Sequence, residues 1–136
     1  MDQLLNTLEP RDIKSIKQTW KSPIRVGTLC SGTDAPIFAL EALLSKLNHH
    51  DNNNMMTMEH VFSCENVKFK RDFIQKTSNP PLIFTDLLEL ANNNNSNEGR
   101  TTGLCHDGST HVLPTNKELH FLIAGTECKD FSSLSS

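Results

Sequence analysis

Apolar residues in this chain gather into short runs that end in polar turns, and between those runs they recur every three or four residues. The first run, Ile24-Arg25-Val26-Gly27-Thr28-Leu29-Cys30, is short and rich in β-branched side chains, which predicts a buried strand. A turn of small residues, Ser31 to Pro36, follows it. Ile37, Leu40, Leu43, Leu44 and Leu47 then recur at helical spacing, with Asp34 suited to cap that helix and Pro36 to its first turn. His60 to Cys64 predicts a second strand ending at Glu65. Val67 to Lys76 predicts a helix with Val67, Phe69, Phe73 and Ile74 as its apolar contributors. Leu82 to Thr85 gives a third strand ending at Asp86, Leu87 to Ala91 is long enough for one helical turn, and Phe121 to Ala124 gives a fourth strand. Strands alternating with helices imply a parallel sheet joined by right-handed crossovers, an α/β class.

The remaining segments sort by composition. Residues 1–23 carry Leu4, Leu5, Leu8, Ile13, Ile16 and Trp20 in a loosely helical recurrence broken at Pro10. They predict a leader with a short helix after Pro10 that covers a sheet edge. Asn48 to Asn54, with His49 and His50, reads as a solvated loop. Asn92 to Asn97 is asparagine with one serine, and low complexity continues to about Pro114, so residues 91–115 are expected to form a flexible insertion. The expected organisation is a leader, 1–23, and a single domain, 24–136.

Charge and cysteine content narrow the classes. At 136 residues there is room for one real core. A formal net charge of −3 argues against a self-sufficient nucleic-acid binder, which would show a basic face, and leaves nucleic acid open as a substrate. No apolar run nears the roughly 20 residues that span a bilayer. The opening Met-Asp-Gln is not a secretory leader, and Cys30, Cys64, Cys105 and Cys128 include no Cys-x-x-Cys pair, so free thiols in a reducing, intracellular setting are expected. Cys105, His106 and His111 match no standard zinc spacing, and no metal is expected.

Chemistry is expected where strands end. Glu65 follows the second strand, Asp86 the third, and Cys128 lies just beyond the fourth. In an open parallel sheet the carboxyl ends of the strands line the ligand crevice. An acid after the second strand is placed to accept both hydroxyls of a ribose, and one after the third to accept from an adenine amine. A cysteine at the tip of a sharp turn suits nucleophilic work. Taken singly, each acid is more often a helix cap or solvated charge, and the whole reads otherwise as a generic nucleotide-binding α/β domain with Cys128 as an ordinary buried thiol.

The motifs together resemble the amino-terminal half of the catalytic domain of the cytosine-5 DNA methyltransferase family. Leu29-Cys30-Ser31-Gly32-Thr33-Asp34-Ala35 is similar to its first motif, Phe-Ser/Ala-Gly-x-Gly-Gly. Gly125-Thr126-Glu127-Cys128-Lys129-Asp130-Phe131-Ser132 resembles its nucleophile motif, Gly-Pro-Pro-Cys-Gln-x-Phe-Ser. Asp34 and Ala35 stand where the family has its second and third glycines, and Cys30 where it has an aromatic. Thr126 and Glu127 replace two prolines and Lys129 a glutamine; Glu127 opposes ionisation of the thiol and Lys129 favours it. Glu65-Asn66-Val67 also spells the family's Glu-Asn-Val motif, but it precedes Cys128 where that motif should follow the nucleophile.

The resemblance implies a Rossmann-like, S-adenosylmethionine-dependent methyltransferase fold with a partial parallel sheet and flanking helices. It implies that Cys128 is the nucleophile, and that Cys30, Ser31, Gly32, Thr33, Glu65, Asn66, Asp86 and Leu87 bind the cofactor. DNA is the implied substrate of the complete enzyme, with RNA as in tRNA cytosine-5 methyltransferases, or a noncatalytic cofactor-binding module, as alternatives. A nuclear location follows if the source is eukaryotic. The chain itself is expected to be an incomplete, inactive fragment that a complementing second half would complete.

Overall fold

A computed structural model describes residues 9–20, 22–50, 54–92, 100–115 and 117–125. In chain order the elements are α1 (Pro10–Thr19), β1 (Ile24–Leu29), α2 (Ala35–His50), β2 (Met58–Cys64), α3 (Lys68–Lys76), β3 (Leu82–Phe84), α4 (Leu87–Asn92), β4 (Thr102–Leu104), β5 (Thr110–Val112) and β6 (Phe121–Ala124). The fold is α/β: a four-stranded sheet in the order β3-β2-β1-β6, flanked by helices and consistent with a Rossmann-like methyltransferase. All its pairings are parallel. β1 is central, in register with β2 (Leu29 beside Cys64) and with β6 (Leu29 beside Ala124). The chain builds outward from β1 to β3 and then returns to the other side of β1. Strand order therefore reverses between β1 and β6, where open α/β sheets hold their ligands.

Side chains of a strand alternate between its faces, so β1 sends Ile24 and Val26 into one apolar cluster and Leu29 into another. The first cluster gathers Ile13 of α1 and Ile37, Leu44 and Leu47 of α2. The second gathers Phe62, Cys64, Phe84, Leu90 and Cys105, with the Phe62 and Phe84 rings edge to face at 5.8 Å. The short helix after Pro10 forms as the sequence implies. It opens with a reciprocal capping box between Glu9 and Asp12, and its C-terminal neighbour Trp20 stacks on Phe121 of β6 at 4.9 Å.

Three details depart from the sequence reading. α2 runs through His49 and His50, which remain exposed, and the Asn48 amide pairs twice with the Met56 backbone, both contacts at 2.8 Å. In α3 only Ile74 enters the core; Phe69 and Phe73 are 71% and 44% exposed, because a nine-residue helix over a sheet buries a single stripe. Within the stretch read as a flexible insertion, β4 and β5 form an antiparallel hairpin. Gly103 packs so closely on Leu90 and Phe84 that a Cβ would lie 2.5 Å and 3.0 Å from them, and Cys105 bridges to Phe84. Tertiary packing orders a segment whose composition alone would not. Residues 93–99 of that stretch lie outside the described residues.

Candidate functional site

The turn after β1 is built from left-handed backbone. Cys30, Gly32 and Asp34 have φ of 51°, 57° and 57°, a region open to glycine, tolerated by aspartate and costly for most other residues. The turn closes through the Asp34 amide, which donates to the Ser31 carbonyl at 2.8 Å, and it is tied to β2 through the Ser31 amide, which donates to the Cys64 carbonyl at 3.1 Å. Asp34 does not cap α2 with its side chain. Its carboxylate is fully buried, where it accepts hydroxyl protons from Thr28 (2.8 Å), Ser63 (2.6 Å) and Ser78 (3.3 Å). His60 lies 3.7 Å from the same carboxylate. Burial pushes the His60 imidazole below its ordinary 6.5, with the Asp34 charge opposing. Hydroxyls contributed by β1 and β2 thus draw inward a residue that the capping rule would leave at the surface. The position that resembles a first-motif glycine keeps a glycine-like backbone and carries a buried carboxyl group.

Glu65 is 3% exposed at the end of β2. One carboxylate oxygen accepts the Gly32 amide at 2.6 Å and the other the Val67 amide at 3.1 Å. Its own amide donates to the Phe84 carbonyl at 3.0 Å. The first turn and the second-strand acid, paired only by order in the sequence, are therefore in direct contact. Asp86 sits at the end of β3, where its Oδ1 accepts the Leu88 amide at 2.8 Å and caps α4. Thr33, Asn66 and Leu87 are exposed beside these groups. Cys30, Asp86 and Glu65 all act on the buried Cys64 thiol between them. Burial first, then those three groups in that order, pushes it up to about 12.

β6 ends beside this turn. The Gly125 amide donates to the Leu29 carbonyl at 2.9 Å, and a Cβ on Gly125 would lie 2.9 Å from the Cys30 carbonyl oxygen. Gly125, the glycine of the stretch that resembles the nucleophile motif, is thus a point of backbone-to-backbone approach at the strand-order reversal. Cys128, with Thr126, Glu127, Lys129 and the rest of that motif, lies outside the described residues. Among the described residues no cluster of His, Cys, Asp and Glu is arranged to hold a metal ion, and no helix is long and apolar enough to cross a membrane.

Sequence reasoning missed Arg71. It donates to the Glu65 and Asn66 carbonyls at 3.0 Å and 2.7 Å and to His106 Nδ1 at 3.1 Å. The signal was present but weak: an arginine six residues after the acid, in the first turns of the following helix.

The described thiols differ in access, with Cys30 exposed and Cys64 and Cys105 buried. In a Cys128→Ser background, a disulfide reagent is expected to label Cys30 rapidly and the other two only on unfolding, because thiolate fraction and access set the rate. Fast labelling of Cys64 in the native protein would contradict the packing described.

No protein-family model matches the chain. Two curated proteins are similar to it, both named DNA (cytosine-5-)-methyltransferase DMT5. The one from Cryptococcus neoformans var. grubii is 33% identical over 135 residues, which is 99% of this chain and 5% of that protein. The one from Verticillium dahliae is 36% identical over 112 residues, 82% of this chain and 4% of that protein. The chain therefore spans about a twentieth of the length of the relatives it matches.

Proposed function

Because the chain belongs to the cytosine-5 DNA methyltransferase family, as the homologue of one short segment of its relatives, we propose that it forms the S-adenosylmethionine-binding half of a site that methylates carbon 5 of cytosine in DNA. The observation that carries this reading is the contact between Gly32 and Glu65. It joins a glycine turn to a buried carboxylate at the carboxyl end of the sheet. The space over Gly32 is open, and a Cβ built there meets no atom within 4 Å. A nucleoside can approach the backbone at that point. Each Glu65 oxygen is engaged by one described amide, so lone pairs remain for ribose hydroxyls.

In this reading Cys30, Ser31, Gly32 and Thr33 line the cofactor, Glu65 and Asn66 face the ribose, and Asp86 with Leu87 holds the adenine edge. S-adenosylmethionine supplies an electrophilic methyl group when bound. Cys128 does the chain's covalent work. Its thiolate adds to carbon 6 of cytosine, the ring's electron density shifts to carbon 5, and after methylation loss of the carbon 5 proton lets the thiolate leave. The target base must be rotated out of the duplex to reach that thiol. A DNA substrate in a fungal relative implies a nuclear setting.

Titration calorimetry with S-adenosylmethionine tests the cofactor half. Glu65→Ala and Asp86→Ala should each weaken binding by about tenfold, the size of one charge-assisted hydrogen bond. Identical heats for the wild type and the double alanine variant would remove both acids from the site.

A further inference from the structure

Glu65 can present its carboxylate to a ribose only if the backbone of the turn from β2 to α3 is held. The Glu65 amide is tied to the Phe84 carbonyl and its carboxylate to the Val67 amide, while the carbonyls of Glu65 and Asn66 need donors of their own. The turn's apolar content is slight, Asn66 is exposed, and the N-cap of α3 is Val67, whose side chain makes no capping hydrogen bond. Arg71 supplies what is missing. From the first turns of α3 its guanidinium reaches back, and Nη1 donates to both the Glu65 carbonyl at 3.0 Å and the Asn66 carbonyl at 2.7 Å. The planar fork of arginine lets Nε point elsewhere at the same time. It donates to His106 Nδ1 at 3.1 Å.

With Nδ1 facing the Arg71 guanidinium, His106 turns Nε2 toward Asp72, 3.1 Å from its Oδ1. Asp72 is in turn held below the ordinary carboxylate range, first by its hydrogen bond from Lys68 and further by His106. His106 is fixed from its other side, since its amide donates to the Ile83 carbonyl at 2.8 Å. A chain of contacts thus runs from the β4–β5 hairpin through His106 and Arg71 to the backbone of Glu65.

We propose that Arg71 is a positioning residue for cofactor binding: it fixes the Glu65–Asn66 backbone so that the Glu65 carboxylate faces the crevice, and through His106 it makes the hairpin part of that support. The proposal rests on reading Glu65 as the ribose acceptor. It assigns the hairpin a role, because the segment that carries His106 becomes the outer brace of the cofactor site.

The test uses the full chain and two ligands, S-adenosylhomocysteine and its analogue lacking both ribose hydroxyls. It adds hydrogen exchange at the Gly32 and Val67 amides, both donors to the Glu65 carboxylate. Arg71→Lys keeps the charge and loses the fork. It should weaken S-adenosylhomocysteine about tenfold, leave the analogue unchanged, and speed exchange at both amides. His106→Asn keeps an acceptor for Arg71 and should resemble the wild type, whereas His106→Leu should follow Arg71→Lys. Equal weakening of both ligands by Arg71→Lys, or unchanged exchange at the two amides, would reduce Arg71 to a general stabiliser and overturn the proposal. If Glu65→Ala itself weakens both ligands alike, the ribose reading fails instead, and amide exchange alone then decides whether Arg71 positions Glu65.

Discussion

Replacing Asp34 with alanine is expected to cost about 3 to 5 kcal/mol of stability, the scale for stripping partners from a buried polar network. Three hydroxyls donate to this carboxylate, and Thr28 and Ser63 are 2% and 0% exposed, so water cannot replace it without opening the core. Asp34→Asn should cost less, about 1 to 2 kcal/mol. The amide still accepts from Thr28, and Ser63 can turn its proton toward His60 Nε2, 2.9 Å away. Asp34→Gly separates the two demands of the position. Glycine suits the backbone at φ 57° but leaves the hydroxyls without their acceptor, so it should fall near alanine, above it by about 1 kcal/mol for the relieved backbone. Urea denaturation of the three variants gives the order directly. A glycine variant as stable as the wild type would mean that the buried carboxylate contributes only about the 1 kcal/mol that glycine gains from the relieved backbone.

The second large effect is expected at Gly125. Alanine there should cost about 1 to 3 kcal/mol, the scale of overpacking a filled site, because the added carbon meets the Cys30 carbonyl, a backbone atom that cannot rotate away. Either β6 moves off β1 or the turn at Cys30 shifts. In both cases native Cys30 should react with thiol reagents at an altered rate. Gly125→Ala with unchanged stability and unchanged Cys30 reactivity would show the approach to be soft. At Gly27 a Cβ would run into the Phe62 ring. That neighbour is a side chain, and the strain can be shared with the surrounding core.

The sheet was legible because its signals are local. Ile24–Leu29 and Phe121–Ala124 are apolar runs bounded by polar turns, and each forms the strand its pattern implies. The strand-end placement of Glu65 and Asp86 follows in the same way from the runs that form β2 and β3. The hairpin was not legible, because its strands are three residues each and carry glycine, threonine and histidine in place of an alternating apolar pattern. One local cue existed, Asp107-Gly108, with Gly108 at φ 89°, a pair suited to tight turns. What docks the hairpin is contact with Phe84 and Leu90, which no local pattern encodes. Asp34 was misread for a related reason. An aspartate before a helix reads as a cap, and only the meeting of β1 with β2 reveals that Thr28 and Ser63 compete for its carboxylate. Arg71 escaped notice because its work is done on backbone carbonyls, which leave no trace in residue types.

Trp20 is the chain's single tryptophan, and it rests on β6: stacked against Phe121 at 4.9 Å, with the His120 ring edge-on at 6.4 Å. Its indole is therefore a built-in optical reporter for one strand. Emission from this protein does not average over many environments. It reads whether β6 is seated against the rest of the sheet.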